Sequence, residues 1–315
     1  MAPGAHQING ALQHTLKSSI DCSGVGLHSG AKVSMTLNPA DPNTGIIFRR
    51  TDVAGGGGEV PARWDTVVDA RLNTSVGNAD GVCVGTIEHL MAALSGAEID
   101  NALIEINGPE VPIMDGSAEP FLFLIECAGL AEQPVARRLI EVLKPVSVGD
   151  DRHSAVLSPG RCPSISFEID FEGTFIQHQQ FFTSLVNGTF QSEIARARTF
   201  GFEHEITELR AAGLIRGGSL DNAIVVGGDG ILNDDGLRFE DEFVRHKVLD
   251  SIGDLYLAGG CILGHFHGFR SGHALNHELL RALMEDSTAW RYTDFSETRP
   301  AIAAMSSPVA AAATA

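Results

Sequence analysis

One stretch, Phe243-Val-Arg-His-Lys-Val-Leu-Asp-Ser-Ile-Gly-Asp-Leu-Tyr-Leu257, restricts what this chain can fold into more than any other. At a helical rotation of 100° per residue, His246, Asp250, Asp254 and Lys247 share an arc of about 100°. Val244, Val248, Leu249, Ile252, Leu255 and Tyr256 fall on the opposite side, from roughly 160° to 300°. The pattern predicts a helix whose back is buried on a core and whose front presents one imidazole and two carboxylates.

His246 and Asp250 stand four residues apart, so their side chains lie one above the other and can reach one ion. Nitrogen and oxygen donors without thiolate suit Zn²⁺, and a catalytic zinc takes three protein ligands and keeps a fourth position for water. A third ligand has to come from another segment. The same spacing also fits a solvated helix face that begins in the capping acid run Glu240-Asp-Glu242, and spacing alone does not separate the two readings.

A length of 315 residues fits two ordinary domains with a sizeable core. The formal charge of −18, from 22 basic and 40 acidic residues, argues against a nucleic-acid partner, which needs clustered Lys and Arg. Any anionic ligand must be held by a few local cations. Five cysteines, Cys22, Cys83, Cys127, Cys162 and Cys261, form no Cys-x-x-Cys pair, which fits reduced thiols and argues against a thiolate metal site. The first residues, Met1 to His6, show no secretory signal, and no window approaches about 18 uninterrupted apolar residues. The expectation is a soluble, cytoplasmic, monomeric protein with no transmembrane segment.

Along the chain, Leu12 to Ile20 reads as a strand, followed by the turn Gly24-Val-Gly-Leu-His-Ser-Gly30 and the alternating strand Lys32 to Leu37. A dinucleotide-binding Gly-x-Gly opens a helix, whereas this one opens a strand, so a hairpin turn is expected and His28 is read as structural. After the glycines at 55 to 58 comes Thr86-Ile-Glu-His-Leu-Met-Ala-Ala-Leu-Ser-Gly96, a helix with Thr86 as N-cap and Gly96 as stop. Glu88 and His89 fall in its first turn. Taken alone, that placement favours a solvated surface histidine, and next to Glu88 it also matches a ligand and a base side by side.

A strand at Asn101 to Ile106, a loop from Glu110 to Ala118 and a helix from Phe121 to Gly129 lead to Glu132–Arg138, read as a linker. A second α+β unit follows, with Ser164 to Phe171 the cleanest alternation, a helix around Glu193 that ends in the aromatic segment at Phe202, and another from Glu205 to Gly213. The two halves look alike in element order without residue-level repetition. The expected fold class is α+β, with a first domain at 1–137, a second at 138–300 and a disordered tail at 301–315.

Twelve histidines offer rival metal pairs. His273-Ala-Leu-Asn-His277 has His-x-x-x-His spacing, and His265 with His267 could chelate from a strand. Against the first pair, the metalloprotease pattern places Glu directly after the first His, where Ala274 stands here. A His after Ser-Gly at a loop-to-helix junction is better placed as an acid or oxyanion donor.

Five segments, Thr86-Ile-Glu-His-Leu-Met-Ala-Ala-Leu, Pro112-Ile-Met-Asp-Gly-Ser, Ala197-Arg-Thr-Phe-Gly-Phe, Gly236 to Leu255 and Ser271-Gly-His-Ala-Leu-Asn, closely resemble the UDP-3-O-acyl-N-acetylglucosamine deacetylase family, zinc amidases of lipid A biosynthesis. Motif order and spacing agree over about residues 10 to 297. The resemblance implies two domains, each a β-sheet layered with helices in a sandwich, with the site between them. It implies His89, His246 and Asp250 as zinc ligands, with Fe²⁺ as a substitute ion. It further implies Glu88 as the base, His273 as the protonated partner that stabilises the oxyanion and protonates the leaving amine, Asp254 as its orienting carboxylate, and Thr199 as an oxyanion donor.

The substrate so implied is a UDP-linked acylated glucosamine. Lys247 resembles the diphosphate contact, Phe171 the aromatic that stacks on uracil, and Phe200 and Phe202 wall residues beside the acyl chain, with a core role an equal alternative for Phe202. Arg270 stands where many relatives carry Lys, keeping charge and changing geometry. Arg152 is a looser candidate for phosphate. His265, His267 and His277 are expected to be bystanders. Another zinc amidohydrolase or peptidase explains the metal residues but leaves Lys247, Phe171 and the apolar wall without a purpose.

Overall fold

Strand alternation builds two sheets of the same design. Val33, Met35 and Leu37 are buried on one face of Lys32–Pro39, and Ile165, Phe167 and Ile169 on one face of Ser164–Phe171. The computed structural model describes residues 12–294 apart from Gly56, Asn187 and Asp229; the expected signal-free N-terminus and the expected tail at 301–315 lie outside the described residues.

The first sheet runs Ile20–Val25, Lys32–Pro39, Ala102–Ile106, Ile46–Arg50, Glu59–Pro61. The second runs Val146–Gly149, Ser154–Ser158, His265–Phe269, Ser164–Phe171, Gln177–Ser184. In both, successive pairings are antiparallel, antiparallel, parallel and antiparallel, and the third position is filled by a strand from late in its half. The likeness of element order between the halves is therefore a likeness of topology, and the fold is α+β with two layered units.

Five α-helices complete the described layers: α1 (Glu88–Gly96), α2 (Glu119–Ala128), α3 (Glu203–Ala211), α4 (Glu242–Tyr256) and α5 (His273–Glu285). Helix α4 packs on the second sheet at Ser164–Phe171 and Gln177–Ser184, on α5 and on α1. It is buried nearly all round, His246, Asp250 and Asp254 included, so the solvated-face alternative is wrong for this helix. Burying α4 on one side against its own sheet and on the other against α1 places the polar arc at the junction of the two units. None of the described helices is long and apolar enough to cross a membrane.

Several expectations need correction. Thr86 does not cap α1: it lies at φ +54° and its hydroxyl donates to Glu110 at 2.8 Å. Leu12 to Ile20 is broken into Leu12–Leu16 and the start of the next strand. The segment read as a linker is mostly the strand Leu130–Ala136, paired antiparallel with Leu12–Leu16, and Arg137 beyond it is buried against Asp100 at 2.8 Å. In the acid run, Glu242 is no solvated cap; it is fully buried and holds the Arg198 side chain at 3.0 Å. The helix expected around Glu193 is a single π-helical turn, Phe190–Ile194. The Gly-rich turn is a hairpin connection as expected, with Ile20–Val25 antiparallel to Lys32–Pro39 and Gly30 at φ +68°.

Candidate metal centre

The site exists because two helices cross at a glycine. A Cβ added at Gly253 of α4 would overlap the backbone carbonyl of Glu88 at the start of α1. With hydrogen alone at that position, the backbones touch and the first turn of α1 swings His89 over His246, their rings 4.9 Å apart and nearly perpendicular at 81°.

His89 Nε2 lies 3.5 Å and His246 Nε2 3.3 Å from the same oxygen, Asp250 Oδ1. One donor atom from each of the three residues falls within 4.8 Å of the others, and all three side chains are buried. His246 Nδ1–H donates to the Ala197 carbonyl at 3.0 Å, which leaves the Nε2 lone pair facing the centre. Burial pushes the His246 pKa down to about 3 against the pull of Asp250, so the ring is neutral. Asp250 Oδ1 and His89 Nδ1 are buried with no hydrogen-bond partner. Three converging donor atoms, one of them a buried carboxylate oxygen without a hydrogen-bond partner, are a set that a cation completes, and the absence of thiolate suits a borderline divalent ion. The residues present fit a metal.

The second oxygen of Asp250 accepts from Lys247 Nζ at 2.7 Å. Burial works against the ammonium, but the carboxylate charge outweighs it and holds the Lys247 pKa above its usual value. Phe200 lies 5.7 Å from that ammonium, 5.0 Å edge-on to Phe243 and 5.9 Å from Phe171, whose other neighbour is Phe202 at 5.5 Å. The aromatic residues singled out in the sequence thus form one cluster beside Lys247.

Beside the three donors sit a carboxylate and an imidazole with opposed tendencies. Burial raises the pKa of Glu88 against the opposing pull of His273 and His89, and its Oε2 accepts the Thr74 amide at 3.0 Å. His273 donates through Nδ1 to Asp254 at 2.9 Å, and its Nε2 points to within 3.9 Å of Asp250 Oδ2. Burial disfavours its protonation, but the charge and hydrogen bond of Asp254, helped by Asp250 and Glu88, push the pKa up to about 9. Two titratable groups driven in these directions are what acid–base chemistry at one site requires.

Thr199 is half-buried two residues after Ala197, its amide donating to Gly116 and its carbonyl accepting from Ile224, both at 2.8 Å. Arg270 is exposed, at φ +49° three residues before His273, and Arg152 is exposed on the hairpin between Val146–Gly149 and Ser154–Ser158. His265 and His267 stand apart from the centre, on the polar face of the second sheet, bridged by the Ser166 hydroxyl at 3.0 and 2.8 Å. His277 is not remote: it is buried, with Nε2 2.8 Å from the Thr74 hydroxyl and 3.3 Å from Asp254 Oδ1. Asn276 also donates to Asp254, at 2.9 Å. Thr74 and Asn276 had no spacing signal. The glycine inside the α4 pattern was the one available pointer to the crossing.

Fold and site together define a class: an α+β protein with a buried His–His–Asp donor set at a helix crossing and a carboxylate and imidazole alongside, the donor arrangement of metal-dependent hydrolases. Comparison with known proteins narrows this. Residues 13–285 match the family model LpxC, UDP-3-O-acyl N-acetylglycosamine deacetylase, and the chain belongs to that family. It is 50% identical over 289 residues to the UDP-3-O-acyl-N-acetylglucosamine deacetylase of Acidithiobacillus ferrooxidans, covering 91% of this chain and 94% of that one. It is 52% identical over 278 residues to the enzyme of that name from Myxococcus xanthus, covering 88% of each.

Proposed function

We propose that this chain is a zinc-dependent deacetylase that hydrolyses the N-acetyl amide of UDP-3-O-(3-hydroxyacyl)-N-acetylglucosamine, releasing acetate in the committed step of lipid A biosynthesis. The observation that carries the reading is the convergence of His89, His246 and Asp250 on one point with Glu88 and His273 flanking it. These three residues would hold the ion. When bound, Zn²⁺ supplies Lewis acidity that polarises the amide carbonyl and lowers the pKa of water to about 7, and Fe²⁺ is a substitute the same donors accept.

Glu88 takes one proton from the attacking water; burial raises its pKa, which makes it a stronger base than an ordinary carboxylate. As the C–N bond breaks, His273 gives its Nε2 proton to the leaving amine, and until then its positive charge faces the developing oxyanion. Asp254 keeps that imidazole oriented and protonated. The Thr199 hydroxyl is a further donor to the oxyanion, a contribution of about 2–4 kcal/mol by comparison with hydrolases in general. Lys247 spends one of its three N–H groups on Asp250 and has two left for the diphosphate. Arg270 adds charge at the entrance, Phe171 offers a face for uracil, and Phe200 lines the acyl side. The reading places the protein in the cytoplasm as a monomer divided at about residue 137, with acid–base and metal groups supplied from both units.

Purified protein incubated with substrate carrying a radiolabelled acetyl group should release label, lose that activity on exhaustive chelation and recover it on adding Zn²⁺. Undiminished release by metal-free protein would end the zinc reading, and release from unrelated acetylated peptides but not the nucleotide sugar would favour a general amidohydrolase.

A further inference from the structure

Thr74, fully buried just ahead of the strand Ser75–Gly77, touches all three helices that carry the site. Its amide donates to Glu88 Oε2 at 3.0 Å and its carbonyl accepts from Ile87 at 3.2 Å, so its main chain clasps the start of α1. Its hydroxyl donates to Asp254 Oδ1 of α4 at 2.5 Å. A hydroxyl has a single proton, so towards its nearest other neighbour, His277 Nε2 of α5 at 2.8 Å, the oxygen accepts; His273 Nδ1 lies farther off at 3.5 Å. His277 therefore carries its hydrogen on Nε2, also 3.3 Å from Asp254 Oδ1, while its buried Nδ1 has no partner. A buried orphaned nitrogen is costly, so His277 is held in this site through Nε2 alone.

We propose that Thr74 and His277 are positioning residues that hold the base and acid arms as one unit, Thr74 fixing Glu88 through its amide and, steadied by His277, fixing Asp254 and hence His273 through its hydroxyl. The inference rests on the reading of Glu88 as base and His273 as acid. Asp254 accepts from Thr74 on Oδ1, with His277 Nε2 3.3 Å from that oxygen, and from His273 and Asn276 on Oδ2, so the carboxylate is held at both oxygens. Without the Thr74 hydroxyl, Oδ1 loses its shortest donor, and the carboxylate can tilt and carry the imidazole of His273 with it.

The test compares Thr74→Val, Thr74→Ser, His277→Leu and the Thr74→Val/His277→Leu double variant, each as the zinc-loaded full chain with the nucleotide-sugar substrate. Thr74→Val should lower kcat about 10- to 100-fold through misplacement alone, with KM changed less than about twofold and one metal per chain retained. Thr74→Ser, which keeps the hydroxyl, should return to within about threefold of the parent, and the double variant should be no worse than Thr74→Val because both residues act on one carboxylate. Parental kcat in Thr74→Val, an equal loss in Thr74→Ser, a loss confined to KM, or multiplying losses in the double variant would each overturn the proposal. Should Thr74→Val not fold, His277→Gln against His277→Leu carries the same question: recovery with the amide N–H supports it, and equal loss overturns it. Glu88→Gln and His273→Ala separate the two levels, since full activity in either sinks the functional reading itself, whatever Thr74 does.

Discussion

Gly253 on α4 rests against the carbonyl of Glu88 on α1 with no room for a side chain between them. Glycine in a helix interior costs about 0.5–1 kcal/mol relative to alanine, so the position is kept for the approach it permits. That approach sets the 4.9 Å between the His89 and His246 rings.

Gly253→Ala should therefore gain helix propensity and still lose stability, by about 1–3 kcal/mol of overpacking, because the helices must part to admit a methyl group. Parting them separates His89 from His246 and Asp250, so zinc affinity measured by competition with a chromogenic chelator should fall as well. Unchanged affinity and stability would mean that the crossing adapts at no cost.

Asp250→Asn removes a charge that faces two imidazoles and the Lys247 ammonium. The expected result is weaker metal binding and a loss of turnover of at least about 100-fold, with far-ultraviolet circular dichroism unchanged. Near-parental kcat at saturating zinc would remove Asp250 from the donor set.

His273 supplies a pH dependence whose sign is fixed. Its folded pKa, about 9, lies above the ordinary 6.5, so the stability it contributes is fully present below about 6.5 and is lost as pH rises through about 9. In metal-free protein, urea unfolding should show this decline, histidine NMR should show a ring titrating near 9, and Asp254→Asn should abolish both. A His273 resonance titrating near 6.5 in the folded protein would contradict the geometry.

Glu242 accepts from the Arg198 side chain and amide, both at 3.0 Å, and from the Arg238 amide at 2.6 Å, all out of reach of solvent on the Glu242 side. Removing one partner of such a buried pair leaves the other charge uncompensated, so Glu242→Ala should cost about 3–5 kcal/mol in denaturant unfolding. Because Arg198 sits between Ala197, which holds His246 Nδ1, and Thr199, zinc affinity should weaken in parallel. A stability loss under about 1 kcal/mol would show the pair to be replaceable by water.

The sequence showed the site in fragments. His246, Asp250 and Asp254 were legible as one helical arc because the 3.6-residue period forces residues four apart onto one side. Glu88 and His89 were legible as a pair in a first turn, and the bracketing motifs carried the family likeness. Thr86 misled because an N-cap and a residue at positive φ with its hydroxyl on a buried carboxylate look identical in one dimension. Glu132–Arg138 misled because proline and charge mark both a linker and an edge strand, and only the partner at Leu12–Leu16 distinguishes them. His277 read as a bystander because its partners, Thr74 and Asp254, lie 203 and 23 positions away along the chain or on another helix face.

By itself, then, the order of residues determined the local elements, the polar face of α4 and the pool of candidate donor groups, since these follow from backbone periodicity and side-chain chemistry over a few neighbouring positions. Which donors meet was decided only by the tertiary structure. The contact of Gly253 with Glu88, the Ala197 carbonyl that sets the His246 tautomer and the Thr74 bridge between α1, α4 and α5 all join positions far apart in the chain, and such contacts are set by packing, which leaves no period in the sequence.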